Sequence, residues 1–291
     1  MLMLVFSDYQ PQAERLAARL AMPTAKVDIH HFPDDESLVR LPPFLPEHVF
    51  ICRSLNQPNN KLIELLFCAR TARQLGAKRL TLIAPYLSYM RQDIANQPGE
   101  AVSQQIMGQM LAELFDDVIT VDPHLHRITS LNQAIPINNA ISLTAADEIA
   151  RFLKQQRDYA VLLGPDSESE QWVLAIAKKI GFDFAVATKI RRGDKQVEMC
   201  LPDFDFSNQP VVIIDDMAST GRTLSKATEL LLAAGAQHID AVITHPLFCG
   251  DAQAHILQAG VKNIWSTDSI SHPTACIYLD KLLAEAVRAV L

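Results

Sequence analysis

Two hydrophobic periodicities alternate along the chain. Short apolar runs at residues 2–6, 48–53, 79–84 and 118–121 have the length and continuity of strands buried on both faces of a sheet. Residues 26–31 predict a further strand. Between these runs, apolar positions recur at helical spacing over residues 12–20, 60–75 and 103–115. Leu62, Leu65, Leu66 and Ala69 mark one such face, and Gly76 ends it. The second half repeats the plan. Helices are predicted at 145–156, 168–180 and 223–234, and strands at 159–163, 182–188, 211–214 and 239–244. Strands alternating with helices predict a parallel sheet with crossover helices. Gly76-Ala77 and Gly235-Ala236 close equivalent helices, and each next strand runs into a Pro-containing turn. The pattern reads as a loose internal duplication joined near residues 136–143. A last helix at 280–291 is expected to pack back on the first half.

One stretch carries the clearest chemistry. The run Val211-Val212-Ile213-Ile214 stops abruptly at Asp215 and Asp216, and Ala218-Ser219-Thr220-Gly221-Arg222-Thr223 then leads into helical spacing. A strand, a tight polar loop and a helix start follow one another. Unpaired N–H groups and the dipole at a helix N-terminus favour an anion. Gly221 permits close backbone approach, and Ser219, Thr220 and Thr223 add hydroxyl donors. A phosphate fits such a loop. The two carboxylates before it suit sugar hydroxyls, or a Mg²⁺ that phosphates also hold. Taken alone, the same residues also read as a solvated turn with a Ser/Thr cap.

Composition narrows the class. At 291 residues the chain suits two domains of about 150 residues. A net charge of −7 argues against a general nucleic-acid binder, so any anion site must be built locally. The five cysteines show no C-x-x-C pairing and mostly sit in apolar runs. They read as buried thiols of a cytoplasmic protein rather than disulfides or zinc ligands. Residues 1–6 read as a first strand, not a signal peptide, and no stretch is apolar for long enough to span a bilayer.

The remaining polar clusters are predicted to lie at strand carboxyl ends, where parallel sheets gather ligands. They are Phe32-Pro33-Asp34-Asp35-Glu36-Ser37, the segment from Pro85 to Asp93 with Arg91 and Gln92, Asp122-Pro123-His124, and Gly164-Pro165-Asp166. Each alone reads as an ordinary surface loop. Lys189, Arg191 and Arg192 follow a strand and are expected on a mobile loop. Lys189 and Arg191 alternate on an extended chain and so face one side together. A point charge and a planar fork there would stabilise charge developing on a transferred group. Ser167 and Glu170 predict a capping box for the next helix.

The motifs F-P-D-D-E, P-Y-L-S-Y-M-R-Q-D, D-P-H, K-I-R and D-D-M-A-S-T-G-R-T occur in that order. This series resembles the ribose-phosphate diphosphokinases (phosphoribosyl pyrophosphate, or PRPP, synthetases), with K-x-R-R-G-D closest to archaeal-type members. The resemblance implies two similar phosphoribosyltransferase-like α/β domains, each a mainly parallel sheet flanked by helices. Residues 1–140 would form the ATP side and 141–291 the ribose-5-phosphate side. It implies Phe32 on adenine, Asp34 and Glu36 on base or ribose, and Arg91, Gln92 and Asp93 on ATP. His124 would contact a Mg²⁺–phosphate cluster, and Asp166 a ribose-side Mg²⁺, with two Mg²⁺ in all. Asp215 and Asp216 would take the ribose hydroxyls. Ser219, Thr220, Gly221, Arg222 and Thr223 would surround the 5-phosphate, and Lys189, Arg191 and His124 would be catalytic. The substrates implied are ATP and ribose 5-phosphate, in a homo-oligomer with no nucleic-acid or membrane partner. Two departures stand out: Arg222 replaces the usual Gly or Ala, and the Gly-Gly after Pro-Asp is missing. The alternatives are a phosphoribosyltransferase that uses PRPP, disfavoured by the first-half motifs, and a non-catalytic regulatory homologue, disfavoured by retention of Lys189, Arg191, His124 and both aspartates.

Overall fold

The computed structural model describes residues 1–192 and 196–291, and the side chains of residues 190–198 lie outside that description. The chain forms two compact units. One comprises Met1–Thr144, Ser269–Ser271 and Asp280–Leu291; the other comprises Ala145–Asp268 and His272–Leu279.

The first unit runs β1 (Leu2–Val5), α1 (Gln10–Arg19), β2 (Thr24–Lys26), β3 (Asp28–His31), β4 (Ser37–Arg40), β5 (His48–Cys52), α2 (Pro58–Gln74), β6 (Arg79–Ile83), α3 (Ser103–Leu114), β7 (Asp117–Val121) and β8 (Asn139–Leu143). Six strands form one sheet in the order β2-β1-β5-β6-β7-β8, with every pair parallel. Strand side chains alternate between the two faces. Leu4, Val49, Ile51, Leu80, Leu82 and Val118 pack with Leu62, Leu65 and Ala69 of α2 and Leu111 and Leu114 of α3. Met3, Val5, Phe50, Ile83 and Ile119 alternate with them and are equally buried. Burial on both faces is why these runs are continuously apolar.

The second unit runs α4 (Ala146–Gln156), β9 (Val161–Gly164), α5 (Glu170–Ile180), β10 (Phe184–Val186), β11 (Thr188–Arg192), β12 (Gln196–Cys200), β13 (Pro210–Ala218), α6 (Arg222–Ala233), β14 (His238–Pro246), α7 (Ala252–Ala259), β15 (Ile264–Thr267) and β16 (Ala275–Ile277). Its sheet order is β10-β9-β13-β14-β15-β16, again all parallel. Val161, Leu163, Val211, Ile213, Ala241 and Ile243 pack with Leu224, Ala227 and Leu231 of α6 and Ile256 of α7. The last helix, α8 (Asp280–Ala289), belongs to the first unit. Its Asp280 Oδ2 lies 2.5 Å from Arg19 Nε on α1, and its Arg288 donates to the Arg19 carbonyl at 3.0 Å.

Counted within each unit, both sheets have the strand order 2-1-3-4-5-6. In each, a two-stranded antiparallel hairpin interrupts the chain after the second strand: β3–β4 in the first unit, β11–β12 in the second. The likeness extends to buried charge. Asp117, at the start of β7, receives Arg79 and Asn139. Asp240, near the start of β14, receives Arg157 and Asn263. A carboxylate is tolerated in such a place only when its lone pairs are met.

Several expectations need correction. Residues 26–31 are not one strand. β2 ends at Lys26, and β3 leaves the sheet to pair with β4, so the Phe32 turn is a hairpin tip and not a sheet end. The strand expected to stop at Ile214 continues through both aspartates to Ala218, with Asp215 opposite Ile243 and Met217 opposite His245. Lys189 and Arg191 lie on strand β11, not in a loop. The residues read as a joint between halves contain β8, an edge strand of the first sheet. Sequence spacing also left out α7, β15 and β16, which are short.

Candidate active site

In the second unit the site grows from the end of β13. Four buried apolar residues hold the strand centrally, between β9 and β14. This fixes where Asp215 and Asp216 emerge. The Asp216 N–H donates to Asp215 Oδ1 at 3.0 Å. The Asp216 residue is buried and Asp215 half-buried. Burial pushes the Asp215 carboxyl well above the usual carboxylate range. The charges of Asp216 and Asp166 and the hydrogen bond with Asp216 push the same way, and Lys189 opposes them. Three carboxylates therefore crowd one spot, an arrangement that a divalent cation with hard oxygen preference would relieve.

The loop then turns into α6. Gly221 is the N-cap with φ +74° and provides no side chain to cap the first turn. A Cβ at this position would lie 2.9 Å from the Ala252 carbonyl oxygen and about 3 Å from Ile256, so the packing of α7 excludes any larger residue. The loop is braced from behind: Phe248 N–H donates to the Ala218 carbonyl and Cys249 N–H to that of Ser219, both at 2.8 Å. Thr220 and Arg222 are exposed, and Ser219 and Thr223 half-exposed. Hydroxyls and first-turn N–H groups thus share one short segment, as an anion requires.

Asp166 follows β9. Its Oδ1 accepts the backbone N–H groups of Glu168 and Ser169, each at 3.2 Å. Its Oδ2 lies 2.5 Å from Lys189 Nζ. The expected capping box is absent. The helix starts at Glu170 with Ser169 as N-cap and no side-chain cap bond, and Asp166 serves the turn that Ser167 was expected to close. Ser169 is fully buried, and its hydroxyl donates to the Asp166 carbonyl at 2.5 Å. A Cβ on Gly164 would meet that hydroxyl at 2.5 Å. The tight Gly164–Ser169 approach thus orients Asp166 without a Gly-Gly pair. The side chain of Arg191 lies outside the described residues; its backbone belongs to β11, opposite Val197.

In the first unit, Phe32 is 41% exposed and meets His30 edge to face at 4.8 Å. The turn is closed by Phe32 N–H to Glu36 carbonyl at 2.8 Å and Asp35 N–H to Phe32 carbonyl at 3.0 Å. Asp34 and Glu36 are exposed, and Asp34 Oδ1 accepts the Glu36 N–H at 3.4 Å. Arg91 is exposed and Gln92 half-buried, in the long connection between β6 and α3. Gln104 anchors that connection by donating through Nε2 to the Met90 carbonyl at 2.9 Å. The Asp93 side chain is almost wholly buried, with Arg127 Nη1 2.5 Å from Oδ1. It ties the connection to Arg127. His124, just after β7, is half-buried, and its ring stacks edge to face on His126 at 4.1 Å.

One charged cluster of this unit was not foreseen. Arg53 Nη2 lies 2.6 Å from Glu64 Oε2, and Arg53 Nε lies 3.2 Å from Asp8. Lys61 Nζ lies 2.7 Å from Asp8 Oδ2. Burial draws the Lys61 ammonium below its ordinary pKa, with Asp8 opposing. These residues border an open cleft of about 480 Å³ with His31 and Asn59. The only sequence signal was a glutamate set among the apolar positions of a helix.

Comparison with known proteins places the chain in a family. Residues 1–114 match the family model for the N-terminal domain of ribose phosphate pyrophosphokinase, and residues 138–274 match that for the phosphoribosyl transferase domain. A ribose-phosphate pyrophosphokinase of Methanopyrus kandleri is 31% identical over 99% of this chain and 98% of its own. That of Saccharolobus solfataricus is 33% identical over 89% of each. The crystal structure of phosphoribosylpyrophosphate synthetase from Mycobacterium smegmatis superposes with a TM-score of 0.83, covering 100% of this chain and 98% of that one at 23% identity. The fold is therefore shared across the full length, and the chain belongs to the ribose-phosphate pyrophosphokinase family.

Proposed function

We propose that this chain transfers the β,γ-diphosphoryl group of ATP to the 1-hydroxyl of ribose 5-phosphate, giving PRPP, AMP and a proton. The observation that carries the reading is the second unit's grouping of Asp166, Asp215 and Asp216 with Lys189, next to the Gly221 helix start. A sugar phosphate needs those two features side by side: carboxylates for its hydroxyls and an anion loop for its phosphate.

In the reaction the ribose 1-oxygen attacks the β-phosphorus of ATP, and the bond from that phosphorus to the α,β-bridging oxygen breaks. AMP leaves, and the hydroxyl proton passes to solvent. No covalent enzyme intermediate is needed, so the chain's work is positioning and charge stabilisation. Asp215 and Asp216 orient the ribose. Ser219, Thr220, Gly221, Arg222 and Thr223 hold its 5-phosphate. Phe32, Asp34 and Glu36 take the adenosine, and Arg91 and Gln92 the adenine and the phosphates. Lys189 and Arg191 meet the charge developing on the transferred group.

The crowded carboxylates fit Mg²⁺, and Asp166 is the residue that would hold it on the ribose side. His124 fits less well alone, because an imidazole nitrogen is a softer donor than Mg²⁺ prefers; with ATP its role would be toward the metal-bound phosphates. Mg²⁺, two ions in all, supplies charge neutralisation when bound. We place the enzyme in the cytoplasm as a homo-oligomer. Among the described residues no helix is long and apolar enough to cross a membrane. Titration calorimetry tests the division of labour: Asp216→Asn is expected to weaken ribose 5-phosphate far more than ATP, and equal loss for both substrates would contradict it.

A further inference from the structure

We propose that Glu64 is a positioning residue: it clamps the hairpin that carries Phe32 and so sets how well the first unit binds a nucleotide. The inference rests on the reading that Phe32, Asp34 and Glu36 meet the adenosine of ATP.

The turn at residues 32–36 is exposed, and an isolated two-stranded hairpin is marginal in water. Something outside it must hold its shape. The last pair before the turn is His31 opposite Ser37. Both side chains converge on one oxygen. His31 Nε2 lies 2.7 Å from Glu64 Oε1, and the Ser37 hydroxyl donates to the same atom at 3.3 Å. Glu64 therefore grips both arms at the point where the turn begins. Its carboxylate is almost fully buried on α2, which is unfavourable unless paired. Arg53 supplies the pair at 2.6 Å. Arg53 follows β5, is held by Asp8, and stacks over the Phe6 ring at 4.3 Å. The hold on the hairpin thus passes through Glu64 and Arg53 to the ends of β1 and β5. A leucine at position 64 would leave the buried Arg53 without this partner and offer neither arm an acceptor.

The test compares three variants, and the double variant combined with Phe32→Ala, in steady-state kinetics. Phe32→Ala reports on the nucleotide reading. Glu64→Ala removes the clamp. His31→Ala combined with Ser37→Ala removes both grips from partly exposed positions and leaves the buried Arg53–Glu64 pair intact, so it covers the case in which Glu64→Ala fails to fold. The double variant is expected to raise KM for ATP about five- to tenfold, the net worth of one ordinary hydrogen bond. KM for ribose 5-phosphate should stay unchanged and kcat should hold within about twofold. Added to Phe32→Ala, it should cost less than the product of the separate effects, because both act through one turn. If Phe32→Ala raises KM for ATP and the double variant does not, the clamp is overturned while the nucleotide reading stands. If the double variant impairs both substrates equally, its role is structural and the clamp is again overturned. If Phe32→Ala leaves KM for ATP unchanged, the nucleotide reading falls and the clamp falls with it.

Discussion

Lys189 Nζ and Asp166 Oδ2 lie 2.5 Å apart, joining the β11–β12 hairpin to the turn after β9. The cation is therefore held by a carboxylate at the same place where the other aspartates gather. On the proposed reaction, exchange of this partner for a phosphate would commit Lys189 to the transferred group. Such an exchange is favourable where charge develops in the transition state.

Lys189→Ala is accordingly expected to lower kcat roughly a hundred- to a thousand-fold, about 3–4 kcal/mol, with small changes in either KM. Arg191→Ala should behave alike, and the double variant should fall well short of additivity. Arg192→Ala is the comparison, since adjacent strand residues face opposite sides. An effect at Arg192 as large as at Lys189 would refute the facing argument.

Asp216→Asn should raise KM for ribose 5-phosphate at least tenfold more than KM for ATP, on the order of 1.4 kcal/mol of selective loss. The residue is buried beside Asp215 at the end of β13, where an amide keeps the shape but loses the charge. Paired KM measurements across both substrates decide it.

Phe32→Ala should raise KM for ATP by about fivefold, the roughly 1 kcal/mol of one aromatic stack. Its edge-to-face partner His30 remains to support the hairpin, so thermal stability should hardly move. A shift confined to ribose 5-phosphate would remove Phe32 from the adenine.

Asp117→Asn tests stability rather than catalysis. Burial alone would raise the Asp117 pKa, but hydrogen bonds from Arg79, Thr81 and Asn139 outweigh it and hold the group below its ordinary value. A group depressed in this way contributes stability above its unfolded pKa, near 4, and that contribution is lost as pH falls through the lower folded value. Wild type should therefore exceed the variant by about 1.5–3 kcal/mol at neutral pH. The gap should close as the pH falls below about 4, the unfolded carboxyl value. Chemical denaturation at a series of pH values measures it, and a gap independent of pH would exclude the ionic origin.

The α/β character and the family were legible because the evidence for them is local. Val211 to Ile214 is continuously apolar since β13 is buried on both faces, and P-Y-L-S-Y-M-R-Q-D is a contiguous string. The hairpins were not legible. Asp28-Ile29-His30-His31 follows Lys26-Val27 directly and so reads as the end of one strand; that it forms β3, leaves the sheet and pairs with β4 shows only in the fold. From sequence β11 reads as an extended but unpaired loop, because nothing in the spacing points to its antiparallel partner β12. Glu64 gave no warning of its partners, because Arg53 and His31 reach it only through tertiary packing. Asp93 sat within the motif yet is turned toward Arg127, a choice made by the fold of the connection and not by the string. The capping box failed for a similar reason: Asp166, one position earlier, already satisfies the N–H groups of Glu168 and Ser169.

The central claim is diphosphoryl transfer to ribose 5-phosphate, and phosphorus NMR of the intact protein with ATP, Mg²⁺ and ribose 5-phosphate measures it most directly. AMP and PRPP should grow in equal amounts as ATP disappears, dependent on the sugar phosphate, with no ADP or free diphosphate as first products. ADP as the first product, or AMP released without PRPP, would contradict it.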